Sequence, residues 1–232
     1  MPPVQVTYYS DILCIWAYIA ERRIEELVET FGDEVSVEAR FCSVFPDAWG
    51  KIEEKWAESG GFAGFGRHLS DVAQKFPHIE VHPCLWLENR PRTSASAHQF
   101  IKAVEIIERE AGVGDGVPVA YLERLPTRAA SALRRAFFAE AKDISNWRVH
   151  SEIAGQLGID YALVEEKLRS SEAVAHLAVD YNLSQKHGVE GSPTFIMNDG
   201  RQKLFGNVGY RLIEANVAEL LRRAPEDEAS WC

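Results

Sequence analysis

The sequence predicts an α/β fold interrupted by an inserted all-α subdomain, and three observations predict it. A β-α-β pattern opens the chain, the strand signal disappears from Pro46 to about Ser170, and an α-β-β-α pattern closes it. The expected division is residues 1–45 and 171–232 for the α/β domain and 46–170 for the helical insertion.

The first strand is read from Val4, Val6 and Tyr8 alternating with Gln5, Thr7 and Tyr9. The period then changes. Trp16, Ala20, Ile24, Leu27, Val28 and Phe31 form one stripe of a 3.6-residue helix that Gly32 can cap. Cys14 therefore sits where strand gives way to helix, near unpaired backbone N–H groups and the positive end of a helix dipole. That setting favours a thiolate. Val35, Val37, Ala39 and Phe41 supply a second strand ending at Cys42. A β-α-β crossover makes the two strands parallel, so Cys42 reaches the same sheet edge as Cys14, the edge where open α/β sheets bind ligands.

The insertion opens as a loop rich in Gly and Trp (Trp49, Trp56, Gly60, Gly61). A helix with Phe65, Leu69, Val72 and Phe76 follows and is stopped by Pro77. The next stripe is Ala97, Phe100, Ile101, Val104 and Ile107, closed by the turn Gly112–Gly116. Further stripes are Ala129, Leu133, Ala136 and Phe137, then Val149, Ile153 and Leu157 ending at Gly158. Asp160 is an N-cap candidate for a short helix through Leu168. In the closing part, Val174, Leu177, Ala178 and Tyr181 mark a helix ending at Gly188. Phe195–Met197 and Lys203–Phe205 flank the turn Asn198-Asp199-Gly200 as a hairpin, with a bulge as one option at this turn length. Ile213, Val217, Leu220, Leu221 and Ala224 mark a last helix.

At 232 residues and 46% hydrophobic content the chain can fill a real core. Its net charge of −10 argues against a nucleic-acid partner, which needs a basic surface; the only local acidic run is Pro225–Glu228. No apolar run reaches the roughly 18 to 20 residues that span a bilayer, and no signal-peptide pattern opens the chain, so no membrane partner and a cytoplasmic location are expected. Cys14, Cys42, Cys84 and Cys232 form neither a disulfide framework nor a zinc pattern, and read as thiols of a reducing compartment. His78, His82 and Cys84 match no strong ligand spacing, so no metal is expected.

Three stretches carry a resemblance: Cys14-Ile15-Trp16-Ala17-Tyr18 at the strand-to-helix junction, Gly191-Ser192-Pro193-Thr194-Phe195 before the hairpin, and Asn89-Arg90-Pro91-Arg92-Thr93-Ser94-Ala95-Ser96-Ala97-His98 entering an insertion helix. Together with the element order they resemble the DsbA-like branch of the thioredoxin fold. Within it they are similar to the FrnE-like oxidoreductases, the 2-hydroxychromene-2-carboxylate isomerases and the kappa-class glutathione transferases. The likeness spans nearly the whole chain. It departs at Ala17, where dithiol members carry the second cysteine that resolves a mixed disulfide. It departs from the transferase and isomerase branch too, where the position of Cys14 is typically serine.

The resemblance implies a site of Cys14 as nucleophile and Trp16, Ser192, Pro193, Asn207 and His98 as substrate- or glutathione-binding residues. If Pro193 is cis, Ser192 presents its backbone toward Cys14; the alternative is a trans proline opening a strand. Trp16 is a ligand stack or core, Asn207 a γ-glutamyl contact or a turn residue, His98 a cleft residue or an ordinary hydrogen-bonding histidine. Cys42 is either a resolving thiol or a buried small hydrophobe. At a helix N-terminus the Cys14 thiolate fraction should rise, less than a histidine in the motif would achieve. The expected function is a single-cysteine thiol–disulfide oxidoreductase acting on a small thiol or disulfide, with nothing tightly bound and glutathione as co-substrate. The alternatives are a glutathione-dependent transferase or isomerase on a small aromatic substrate, and a non-catalytic binding protein. Related enzymes are often dimers, which makes a homodimer a family expectation.

Overall fold

Strand β1 (Val4–Ser10) lies at the centre of the molecule and sends its carboxyl end directly into the candidate site. In the computed structural model, which describes residues 3–112 and 119–222, helix α1 (Ile15–Phe31) returns along the sheet and closes at Gly32, whose positive φ of 52° suits glycine. Strand β2 (Val35–Phe41) pairs parallel to β1 in the register Val4↔Val35 through Ser10↔Phe41. Strands β3 (Thr194–Met197) and β4 (Gln202–Phe205) complete a sheet of order β2-β1-β3-β4, with β3 antiparallel to both β1 and β4. The hairpin turn has left-handed backbone at Asn198, Asp199 and Gly200, two residue types that tolerate it and one that favours it. The strand order, with seven α-helices between β2 and β3 among the described residues, is that of a DsbA-like thioredoxin fold with a helical insertion.

Those helices are α2 (Ala48–Trp56), α3 (Gly61–Ala73), α4 (Ala95–Glu110), α5 (Leu125–Phe138), α6 (Trp147–Gln156), α7 (Tyr161–Arg169) and α8 (Glu172–Lys186); α9 (Tyr210–Arg222) closes the described chain. Asp160 caps α7 by accepting from the Ala162 N–H at 2.9 Å. Three expectations need correcting. The stretch read as a Gly- and Trp-rich loop contains α2, started by Asp47 as N-cap; only Ala48 and Ile52 are buried on it, so its apolar periodicity is too thin to see. Helix α3 stops at Ala73, before Phe76 and well ahead of Pro77. On α8 the buried face carries Ala173, Leu177, Asp180 and Ser184, while Val174 is exposed, because Asp180 turns inward to meet Arg40, Lys102 and the Phe41 N–H. Gly114–Gly116, Ala224, the acidic run Pro225–Glu228 and Cys232 lie outside the described residues.

One face of the sheet packs Val6, Tyr8, Phe195 and Met197 on α1 and α9. The opposite face places Tyr9, Ile196 and Cys42 in a smaller cluster with Leu183 of α8. The insertion builds the largest core, centred on Phe100, Phe137, Phe138 and Trp86, and it reaches Ile12, Leu13 and Cys14. Among the described residues no helix is long and apolar enough to cross a membrane.

Candidate active site

Cys14 is the N-cap of α1, in extended backbone, and its carbonyl accepts the first helical bonds from Ala17 and Tyr18. The apolar stripe that starts with Ile15 and Ala17 anchors the helix, so the sulfur is delivered to the helix N-terminus by the strand-to-helix junction itself. The Sγ donates to the Ser192 carbonyl at 3.2 Å, and the Ser192–Pro193 peptide is cis. The Ser192 Oγ accepts from the Asp11 N–H at 2.9 Å. Two loops far apart in sequence are thus tied together at the thiol.

The organiser of this junction is Asp11, fully buried. Its Oδ1 accepts from the Leu13 N–H at 3.0 Å. Its Oδ2 accepts from the Val44 N–H at 2.9 Å, the Phe45 N–H at 3.0 Å and the Ser94 hydroxyl at 2.8 Å. One carboxylate joins the Cys14 loop, the segment after β2 and the residue preceding α4. Burying a charge is costly unless it is hydrogen-bonded, and four donors meet that condition here.

The thiolate expectation is corrected by burial. Cys14 is 7% exposed, and desolvation pushes its thiol above the ordinary value; the Ser192 side chain and the Ala17 and Trp16 N–H groups oppose this, the Asp11 charge adds to it. The helix terminus offers the anion partners, and withdrawal from water outweighs them in the free protein.

His98 does not line an open cleft. It is fully buried, its ring stacked on Phe41 at 4.2 Å between centroids, because it serves the backbone: its Nε2 accepts from the Ile12 N–H at 3.0 Å. That leaves Nδ1 to carry the proton and donate to the Tyr181 hydroxyl at 3.0 Å. Burial holds the His98 pKa down to about 4, and that of His150 likewise. Both stay neutral in the fold but charge near pH 6.5 when unfolded, so stability is full above about pH 6.5 and is lost as pH falls toward 4, by about 3 kcal/mol for each histidine. Urea unfolding from about pH 7 to about pH 4.5 checks this. The wild type should lose stability more steeply than His98→Gln, which keeps an acceptor for Ile12 but does not titrate; equal slopes would contradict it.

Trp16 is half-buried and meets Phe76 edge-on at 6.2 Å. Asn207 is exposed, in a turn tied to the proline loop by the Gly206 N–H donating to the Pro193 carbonyl at 2.9 Å. Cys42 is buried on the opposite face of the sheet from α1, unbonded to Cys14, and burial pushes its thiol far up. Its placement fits the small-hydrophobe reading. Of His78, His82 and Cys84, the last two meet through the backbone of Cys84, whose N–H donates to His82 Nδ1 at 3.1 Å, while His78 Nε2 meets the Ile19 carbonyl at 3.1 Å. Among the described residues no group of His, Cys, Asp and Glu could hold a metal ion.

Sequence reasoning missed Asp11, Ser94 and Lys51. Lys51 donates to the Val44 carbonyl at 2.7 Å and lies over the Phe45 ring; burial lowers its pKa, and the charges of Asp11, Cys14 and Cys42 oppose that lowering. The available signal was an acid between Ser10 and the apolar pair Ile12-Leu13, which cannot be buried there without donors.

Residues 116–218 match the family model described as DSBA-like thioredoxin domain. No curated protein matches by sequence. Among solved structures, the fold is similar to a probable DsbA oxidoreductase from Streptomyces coelicolor (17% identity, 98% of this chain and 94% of that one, TM-score 0.72). It is similar to the cytosolic disulfide reductase DsbM from Pseudomonas aeruginosa (20% identity, 93% and 99%, TM-score 0.66), and to a 2-hydroxychromene-2-carboxylate isomerase (16% identity, 94% and 96%, TM-score 0.62). These likenesses establish the fold.

Proposed function

We propose that this chain, whose residues 116–218 match the DSBA-like thioredoxin domain, is a thiol–disulfide oxidoreductase that works through Cys14 alone, with glutathione as the thiol that releases it. The observation that carries the reading is the sulfur at the α1 N-terminus, 3.2 Å from the Ser192 carbonyl. An extended thiol-bearing ligand that reaches the Ser192–Pro193 peptide would pair with it as an added strand does, which sets its sulfur against Cys14. In a first exchange the Cys14 thiolate attacks the glutathione sulfur of a mixed disulfide RS–SG; the RS–S bond breaks, RS⁻ leaves and takes a proton, and Cys14–S–SG forms. In the second, a glutathione thiolate attacks the Cys14-bound glutathione sulfur, giving GSSG and regenerating the Cys14 thiolate. The sum is RSSG + GSH → RSH + GSSG.

Ala17, fully buried where a dithiol enzyme has its second cysteine, supports an external resolver. So does Cys42, which would have to leave its cluster with Tyr9 and Ile196 to reach the adduct. The DsbM structure solved with GSH is a fold relative at 19% identity and makes glutathione the first thiol to test. The free, unpaired Cys14, Cys42 and Cys84 suit a reducing, cytoplasmic setting.

The experiment is turnover of a glutathionylated peptide with glutathione. Cys42→Ser should keep the rate within about twofold, and the rate should climb with glutathione concentration. A loss of about tenfold or more in Cys42→Ser would make Cys42 the resolver and overturn the single-cysteine scheme.

A further inference from the structure

A cavity of about 340 Å³ lies between the sheet and the insertion helices and does not include Cys14 or Ser192. Its floor is the sheet at Tyr8, Ser10 and Phe41; one wall is α1 and the other is α4 with α5. The volume is in the range of small-molecule sites, and such sites favour interdomain seams. The walls divide by character: Ile24, Phe41 and Ile101 give an apolar side, and Ser10, Tyr121 and the guanidinium of Arg134 a polar one.

Arg134 is 3% exposed. Its Nη1 donates to Glu21 at 2.6 Å and its Nη2 to the Ser10 hydroxyl at 3.0 Å, while its Nε–H has no acceptor among the described residues. A buried cation with an unmade hydrogen bond at a cavity wall is not what closing the core would produce.

Charge decides the ligand class. Each carboxylate on the wall already has a cation: Glu21 has Arg134, Glu25 has Arg22, Glu38 has Arg40 and Glu105 has Lys102. Arg124 is held by Glu108. The remaining lining cation, Arg128, is exposed and makes no ion pair among the described residues. We infer that this cavity binds a small organic monoanion whose apolar body lies against Ile24, Phe41 and Ile101 and whose carboxylate pairs with Arg128. The inference is independent of the thiol chemistry at Cys14.

Ligand-observed NMR with hexanoate, hexanamide and hexylamine on the full chain tests it. Hexanoate should bind saturably, hexanamide about tenfold more weakly, and hexylamine not at all. Arg128→Gln, at an exposed position, should bring hexanoate down to the amide's affinity. Ala130→Phe, which fills the cavity from α5, should abolish binding of both with an unchanged melting temperature; if it does not fold, the Arg128→Gln arm decides. Cys14→Ser should leave hexanoate binding intact. Absence of saturable hexanoate binding, equal affinity for acid and amide, preference for the amine, binding that survives both cavity variants, or binding lost in Cys14→Ser would overturn the inference.

Discussion

Asp11→Ala is expected to destabilise the fold by on the order of 5 kcal/mol, a large share of the roughly 5–15 kcal/mol that holds a domain together. The substitution leaves the Leu13, Val44 and Phe45 N–H groups and the Ser94 hydroxyl without their acceptor in a site with no exposure. A buried donor left unpaired costs about 1–3 kcal/mol, and four on one carboxylate sum to less than four separate losses because the loops relax together. Urea denaturation measures the loss; a change under about 1 kcal/mol would show that the junction does not depend on this carboxylate.

Asp11→Asn separates its electrostatic role from its structural one. The Asp11 charge is one of the influences raising the Cys14 thiol, so a neutral side chain should lower the midpoint of the pH profile of Cys14 alkylation. An upward or absent shift in a folded variant would mean the carboxylate positions the loops without acting on the sulfur. A purely structural role predicts lost stability with an unmoved midpoint.

Much of the fold was legible because its signals are local. The alternation of Val4 to Tyr8, the stripe through Ile24 and Leu27, and the Asp-Gly turn each report on the residues that bear them. Helix α2 was not legible, since two buried residues in nine leave no stripe to count. The inward face of α8 was misplaced by one position because periodicity expects apolar residues inside and Asp180 is there instead, held by Arg40 and Lys102.

The site divides in the same way. Placing Cys14 at the junction follows from a change of period, and the motif pointed to the Ser192–Pro193 loop. Burial does not follow from either. A helix N-terminus implies a lowered thiol, and only packing by the insertion, through Ile12, Leu13 and their neighbours, shows that desolvation runs the other way. Likewise the sequence leaves His98 as either a cleft residue or an ordinary hydrogen-bonding histidine, and it is the Ile12 N–H on its Nε2 that favours the second. Long-range partners are set by tertiary structure, and a sequence lists donors without their acceptors.

Cys14→Ser should abolish turnover of glutathionylated peptide, a loss of about a thousandfold or more, because a hydroxyl at this position cannot form the exchange intermediate. Folding should be preserved, since serine keeps a donor toward the Ser192 carbonyl and changes little volume. The wild-type rate should rise through the alkaline range, as expected of a thiol pushed up by burial, and alkylation of Cys14 at neutral pH should be slower than that of free glutathione. Turnover surviving in Cys14→Ser would move the chemistry to bound glutathione and favour an isomerase- or transferase-like activity.

The most direct test of the central claim is mass spectrometry of the protein after treatment with glutathione disulfide. One glutathione adduct is expected, on Cys14, that persists without conversion to a Cys14–Cys42 disulfide and is removed by added glutathione. An unmodified Cys14, or an adduct that resolves into an internal disulfide, would contradict it.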